Sequence, residues 1–141
     1  MKMMIMSVVA GLSLTLSTAA LACEGEGHTA AAPKSVTAKQ LALLLKDKKA
    51  VPVDANGAET RSKNGVIPGA TLLTSSSQYA LTELPANKDA NLVFYCASEK
   101  CGASHTAAER AMEAGYTNVA TMPEGIKGWK KSGQKTAIPN S

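Results

Sequence analysis

Three cysteines, two histidines and an aspartate at the end of an apolar run are the side chains here whose types and spacing suit chemistry. Cys96 and Cys101 share one short segment, Cys23 lies near the start, and the histidines are His28 and His105. A thiol acts as a nucleophile in its thiolate form, so what matters is the surroundings of each sulfur. Cys96 directly follows Asn91-Leu92-Val93-Phe94-Tyr95 and precedes an Ala-rich stretch. A cysteine between a buried strand and a helix start meets loop amides and the helix's positive end, which would lower its pKa below the free value of about 8.5. The same N–H groups would hold the terminal sulfur of an anionic persulfide. Free cysteine is also commonly a small buried hydrophobe, and that alternative stays open for Cys96 and Cys101 alike. Lys100 either adds positive charge to the loop or is a solvated charge offset by Glu99. His105 is expected to face solvent rather than to act as a base. Cys23, Glu24, Glu26 and His28 lie in a Gly- and Ala-rich stretch without the preorganised spacing of metal ligands, so neither a metal nor a cofactor is expected.

The elements that must position Cys96 are set by the pattern around it. Thr37-Ala38-Lys39-Gln40 has the form of a capping box, and Leu41, Leu44 and Leu45 share one helical face, which predicts a helix from about Ala38 to Asp47. Ala50-Val51-Pro52-Val53-Asp54 reads as a strand that closes on Asp54. Pro68-Gly69 turns the chain into a short strand at Ala70–Leu73. Ser75–Leu84 is expected to be a short helix or turn with Tyr79, Leu81 and Leu84 facing inward. Asn91–Cys96 is the clearest buried strand. Gly102–Ala114 carries Ala107, Ala111 and Ala114 at helical spacing, with Gly115 where a C-terminal glycine cap belongs. A strand at Asn118–Thr121 and a helix at Gly125–Lys131 with Trp129 complete the series.

Strands alternating with helices predict an α/β domain, a parallel sheet with helices on both faces. Ligands in such folds collect at the C-terminal ends of the strands. Asp54 and Cys96 should therefore open on the same edge, Asp54 supporting the site or serving only as a hydrogen-bonded turn residue.

Composition and the first residues bear on compartment. Met1-Lys2 supplies a positive start, Met3–Leu16 is uncharged, and Ala20-Leu21-Ala22 is a signal-peptidase site, so residues 1–22 read as a secretory signal. The stretch is too short and too interrupted by Ser and Thr for a membrane span. Behind the signal come a flexible tether over 23–34 and one domain over 35–138, about 120 residues together and long enough for a core. Export implies a periplasmic or secreted protein in an oxidising environment where two thiols can pair. Ala19-Ala20-Leu21-Ala22-Cys23 also permits a lipobox, so a membrane enters only if Cys23 is lipidated. Lys and Arg number 15 against 11 Asp and Glu, scattered rather than gathered into a stripe. That distribution argues against a nucleic-acid surface.

Taken in order, Val53-Asp54, Gly65-Val66-Ile67-Pro68-Gly69-Ala70, Leu92-Val93-Phe94-Tyr95-Cys96, Ala107-Ala108, Gly115-Tyr116-Thr117-Asn118-Val119 and Glu124-Gly125-Ile126-Lys127-Gly128-Trp129 resemble the landmarks of a single-domain rhodanese over roughly Ser35 to Ile138. The resemblance implies about five parallel strands flanked by helices. It also implies a sulfurtransferase or persulfide carrier in which Cys96 takes sulfur from a small donor and gives it to a thiol or other thiophilic acceptor. Ala97, Ser98, Glu99, Lys100 and Gly102 would form the substrate-binding loop, with Asp54 beside it. The sequence departs from the family in carrying Val66 where a His is usual and Cys101 where the loop Arg would sit. It is also about two residues longer between Cys96 and the Ala107-Ala108 pair. Without that Arg, thiosulfate meets no guanidinium fork in the loop. Cys101 instead raises a second possibility, a thiol-disulfide redox protein that uses both cysteines, with Cys101 as the resolving thiol. A third is a non-catalytic module that binds a protein partner through the same loop.

Overall fold

The computed structural model describes residues 31–139. The signal, Cys23, His28 and most of the tether lie outside them. Ten short elements follow one another as β1 (Lys34–Ser35), α1 (Ala38–Lys46), β2 (Val51–Asp54), α2 (Ala58–Asn64), β3 (Thr71–Leu72), a 3-10 turn (Leu81–Glu83), β4 (Leu92–Tyr95), α3 (Ala103–Glu113), β5 (Val119–Met122) and α4 (Gly125–Lys131). The strands form one sheet in the order β1-β5-β4-β2-β3. Every pairing is parallel. All strand C-termini thus share one edge, with Asp54 directly beside Tyr95 and Tyr95 beside Met122.

Alternation along the strands divides the core between the two faces. Val53, Leu92, Phe94 and Val119 point to one side and pack with Ala107, Ala108 and Ala111 of α3 and with Tyr79 and Leu84. Val93, Tyr95, Ala120 and Met122 point to the other, against Ala38 and Leu41 of α1 and Ile126 and Trp129 of α4. Small alanines on α3 let that helix lie close to β4 and β5, which is what brings its first turn over the end of β4.

The caps expected from sequence are present. Thr37 N donates to Gln40 Oε1 at 2.8 Å and Gln40 N to Thr37 Oγ1 at 3.2 Å, a reciprocal capping box. α3 ends with Tyr116 N donating to Ala111 O, Gly115 N to Met112 O, and Gly115 at φ 92°, a Schellman arrangement that glycine adopts without steric cost.

Four features differ from the sequence reading. Lys34–Ser35, at the end of the expected tether, forms an edge strand on β5. Two exposed residues bound through their backbone carry no hydrophobic pattern. Helix α2 likewise buries none of its residues, so no periodicity announces it. Leu81, expected inward, is 39% exposed, whereas Tyr79 and Leu84 are buried. The segment is mostly turns tied by Glu83, which accepts from Thr74 N, Thr74 Oγ1 and Ala80 N, and this leaves Leu81 on the outside. The chain beyond α4 returns to pair Val66 with Ala137 in an antiparallel bridge. No helix among the described residues is long and apolar enough to cross a membrane.

Candidate functional site

Strand β4 ends at Tyr95, and Cys96 begins a loop that runs through Ala97, Ser98, Glu99, Lys100, Cys101 and Gly102 into α3. Two elements hold this loop. Backbone N–H groups at the start of α4 grip its first residues, Ile126 N donating to Cys96 O at 2.8 Å and Lys127 N to Ala97 O at 3.2 Å. A tight turn closes its far side, with Cys101 N donating to Ser98 O at 2.9 Å. Gly125, at φ 62°, allows the close approach: a Cβ there would stand 2.5 Å from Ala97 C and Ser98 N. No real side chain fits at that distance, so Gly125 shapes the loop although it carries no chemistry.

Cys96 is wholly buried, at 0% exposure. Its Sγ lies 2.9 Å from the Cys101 carbonyl oxygen, to which the thiol donates, and 3.4 Å from Ser104 Oγ. The Ser98 carbonyl is 3.8 Å away. Burial pushes the Cys96 thiol up, and the neighbouring Cys101 thiol adds to this, outweighing hydrogen bonds from the Ser104 side chain and backbone. The expectation of a lowered Cys96 pKa is therefore reversed. Removal from water disfavours the thiolate, and the thiol proton is occupied by the Cys101 carbonyl oxygen.

Cys101, at the far end of the loop, is placed differently. Cys101 is partly exposed. Partial burial alone would raise its thiol. The Cys96 thiol and the backbone N–H groups of Ala97 and Ala103 nonetheless favour its thiolate strongly enough to hold it below the usual thiol range. Ala103 is the first residue of α3, so the helix's positive end contributes as well. The residue that stands where the resemblance places an Arg thus lies at the N-terminal end of α3. Both cysteines are free thiols in this structure.

The remaining expected site residues are distributed around this pair. Glu99, Lys100 and Gly102 are exposed on the loop's outer side, and Ala97 and Ser98 are half-buried beneath it. A recess of about 260 Å³ is lined by Cys101 together with Lys100, Ser104 and His105. On the other side of the loop, Ser98, Glu99 and Lys100 face Lys127 and Lys131 of α4 across an open cleft of about 550 Å³. His105 is half-exposed and pairs with Glu109 at 3.2 Å.

Asp54 is buried at the same sheet edge, but its carboxylate is engaged elsewhere. Oδ1 accepts from Asn56 N at 2.7 Å, and Oδ2 accepts from Tyr95 Oη at 2.7 Å. Arg61 Nε stands 3.4 Å from Oδ1, while Arg61 Nη2 donates to the carbonyls of Asp54 and Leu73 at 3.0 and 2.8 Å. Tyr95 Oη in turn accepts from Ile67 N at 3.0 Å. This network clamps the ends of β2, β3 and β4 and fixes Tyr95, the residue before Cys96. Burial, then the adjacent Asp54 carboxylate, push the Tyr95 hydroxyl pKa upward, so it stays a donor. Arg61 and Tyr95 were not legible as site supports from sequence. The Val53-Asp54 and Tyr95-Cys96 pairs at parallel strand ends were the signal that could have joined them.

Among the described residues no cluster of three or more His, Cys, Asp or Glu side chains is arranged to hold a metal.

The family model described as Rhodanese-like domain matches residues 37–132. No curated protein matches the chain by sequence. Among solved structures, the single-domain sulfurtransferase of Saccharomyces cerevisiae superposes with a TM-score of 0.61 at 27% identity, over 74% of this chain and 94% of that one. The BH2092 protein of Bacillus halodurans gives a TM-score of 0.63 at 22% identity, over 72% of this chain and 74% of that one. The thiosulfate sulfurtransferase of Pseudomonas aeruginosa gives 0.58 at 19% identity, over 77% of this chain but 21% of the larger protein.

Proposed function

The chain belongs to the family of rhodanese-like domains, and from that premise we propose that it is an exported sulfurtransferase or persulfide carrier that takes sulfane sulfur from a small donor onto the Cys96–Cys101 loop. The observation that carries this reading is the pair of free thiols in the loop between β4 and α3, one buried at the strand end and the other opening on a recess at the helix start. Such a helix start stabilises anionic sulfur, whether a thiolate or a persulfide, as fixed N–H groups stabilise any anion. The acceptor is a thiol or other thiophile, and the position of the site at a sheet edge leaves room for a partner protein.

The test is removal of sulfane sulfur from a donor. Wild-type protein is expected to consume glutathione persulfide stoichiometrically, whereas a Cys96→Ser/Cys101→Ser double variant leaves its decay at the protein-free rate. Equal consumption by both proteins would show that the thiols are not the site. Thiosulfate should be the poorer donor, because the loop presents Cys101 where a guanidinium fork would bind a sulfonate-like group.

A second reading, a thiol-disulfide redox protein, is favoured by the two free thiols in one short loop, with Cys96 Sγ 2.9 Å from the Cys101 carbonyl oxygen. It predicts disulfide exchange with protein dithiols in the absence of any sulfur donor.

A further inference from the structure

We propose that Cys101, rather than the family-position Cys96, is the thiol that attacks the sulfur donor, and that Cys96 is the resolving thiol that expels hydrosulfide and closes a Cys96–Cys101 disulfide. This rests on the sulfur-transfer reading for the uptake of sulfane sulfur and goes beyond it in that the sulfur leaves as hydrosulfide rather than passing to an outside thiol. Access favours Cys101. Cys96 has no exposed surface, and its sulfur is capped by the Cys101 carbonyl at 2.9 Å, so no donor reaches it without moving the loop. Cys101 is partly exposed and opens on the recess beside Lys100 and His105. A donor that enters this recess meets Cys101 first.

Charge points the same way. The Cys96 thiol donates to the Cys101 carbonyl oxygen at 2.9 Å, with the Ser104 hydroxyl at 3.4 Å and the Ser98 carbonyl at 3.8 Å, whereas Cys101 stands at the start of α3, where backbone N–H groups favour its thiolate. Of the two, the accessible sulfur is the one poised as a thiolate. The buried one keeps its proton until a leaving group needs it.

The chemistry closes without an outside oxidant. In the first step the Cys101 thiolate attacks the terminal sulfur of a low-molecular-weight persulfide R–S–S–H. A Cys101 S–S bond forms, the donor's S–S bond breaks, and its electron pair leaves with the thiolate R–S⁻. The terminal proton stays on the transferred sulfur. In the second step Cys96 attacks Cys101 Sγ, the bond to the outer sulfur breaks, and hydrosulfide departs with the proton that Cys96 gives up. Two thiols are oxidised to one disulfide, and one sulfane sulfur is reduced to sulfide. An external dithiol reopens the pair for another turnover.

Single-turnover experiments on the full mature chain decide the order. Reduced wild-type protein, pulsed with iodoacetamide at pH 7 and mapped by peptide mass, should be labelled at Cys101 at least about tenfold faster than at Cys96, following their thiolate fractions. With one equivalent of glutathione persulfide, wild type should release one sulfide and lose two hydrogens. Cys96→Ser should retain one added sulfur on Cys101 and release no sulfide, and Cys101→Ser should react at least about tenfold more slowly. If Cys101→Ser took up sulfur on Cys96 at the wild-type rate, the proposed order would be wrong and the sulfur-transfer reading would stand. If wild type took no sulfur from the donor, both would fall. Faster alkylation of Cys96 than of Cys101 in the wild-type protein would overturn the order without recourse to any variant.

Discussion

At the scale of single residues, the site turns on which of two neighbouring sulfurs the backbone polarises. A thiol five positions along the chain from Cys96 makes the loop an asymmetric pair, Cys96 Sγ buried against the Cys101 carbonyl oxygen and Cys101 opening on a recess at the helix start. This asymmetry has a pH signature. The Cys96 thiol is raised in the folded protein, so its contribution to stability is fully present below the unfolded thiol value of about 8.5 and is lost as pH rises towards the folded value. The Cys101 thiol is lowered, so its contribution is present above about 8.5 and is lost as pH falls through its folded value. In the wild type the two oppose each other. Cys101→Ala should therefore lose stability between about pH 8 and 9.5 relative to the Cys96→Ala/Cys101→Ala double variant, measured as the shift of the urea midpoint. A flat difference over that window would mean that the Cys101 thiol, rather than burial, holds the Cys96 proton.

At the scale of elements, the loop is held from below by α4 and continued by α3, so damage to each element should read out differently. Gly125→Ala places a methyl group 2.5 Å from the Ala97 and Ser98 backbone at a φ of 62°. The loop must move, the hydrogen bonds from Ile126 N and Lys127 N weaken, and the backbone N–H groups that favour the Cys101 thiolate shift with it. Expected are a loss of about 1–3 kcal/mol in stability and a Cys101 alkylation rate at pH 7 that falls towards that of an unfolded thiol. Thr37→Ala, which removes the reciprocal cap of α1 far from the thiols, should cost about 1 kcal/mol and leave alkylation unchanged. Equal effects of the two substitutions on reactivity would show that Gly125 acts through global stability rather than through loop geometry.

At the scale of the whole molecule, the thiol pair depends on compartment. An oxidising environment would close the pair between turnovers, and a dithiol reductant would have to reopen it. Export is the expectation carried by Met1–Ala22, and it is checked by fractionating cells and measuring the intact mass of the protein recovered outside the cytoplasm. A chain beginning at Cys23 is expected, with an added lipid mass if the lipobox is used. Full-length protein confined to the cytoplasm would mean that the pair works in a reducing environment instead.

The sequence by itself determined the order of the buried elements and the loop in which the candidate site lies. Short apolar runs announced β2 and β4, strands buried on both faces, and residues repeating every three to four positions announced α1 and α3, which bury one face. The strand-to-helix junction put Cys96 at the sheet edge, since parallel strands joined by helices send all their C-terminal ends the same way. Elements bound through backbone alone left no such record: β1 pairs through its main chain, and α2 buries nothing. The roles of Asp54, Tyr95 and Arg61 were likewise decided only in three dimensions, where residues from separate elements meet in one buried network. The same holds for the two thiols. Sequence spacing put Cys96 and Cys101 in one loop, but which sulfur is buried and which opens on the recess depends on how α4 and Gly125 bend that loop, and access to a sulfur is a property of direction, not of order along the chain.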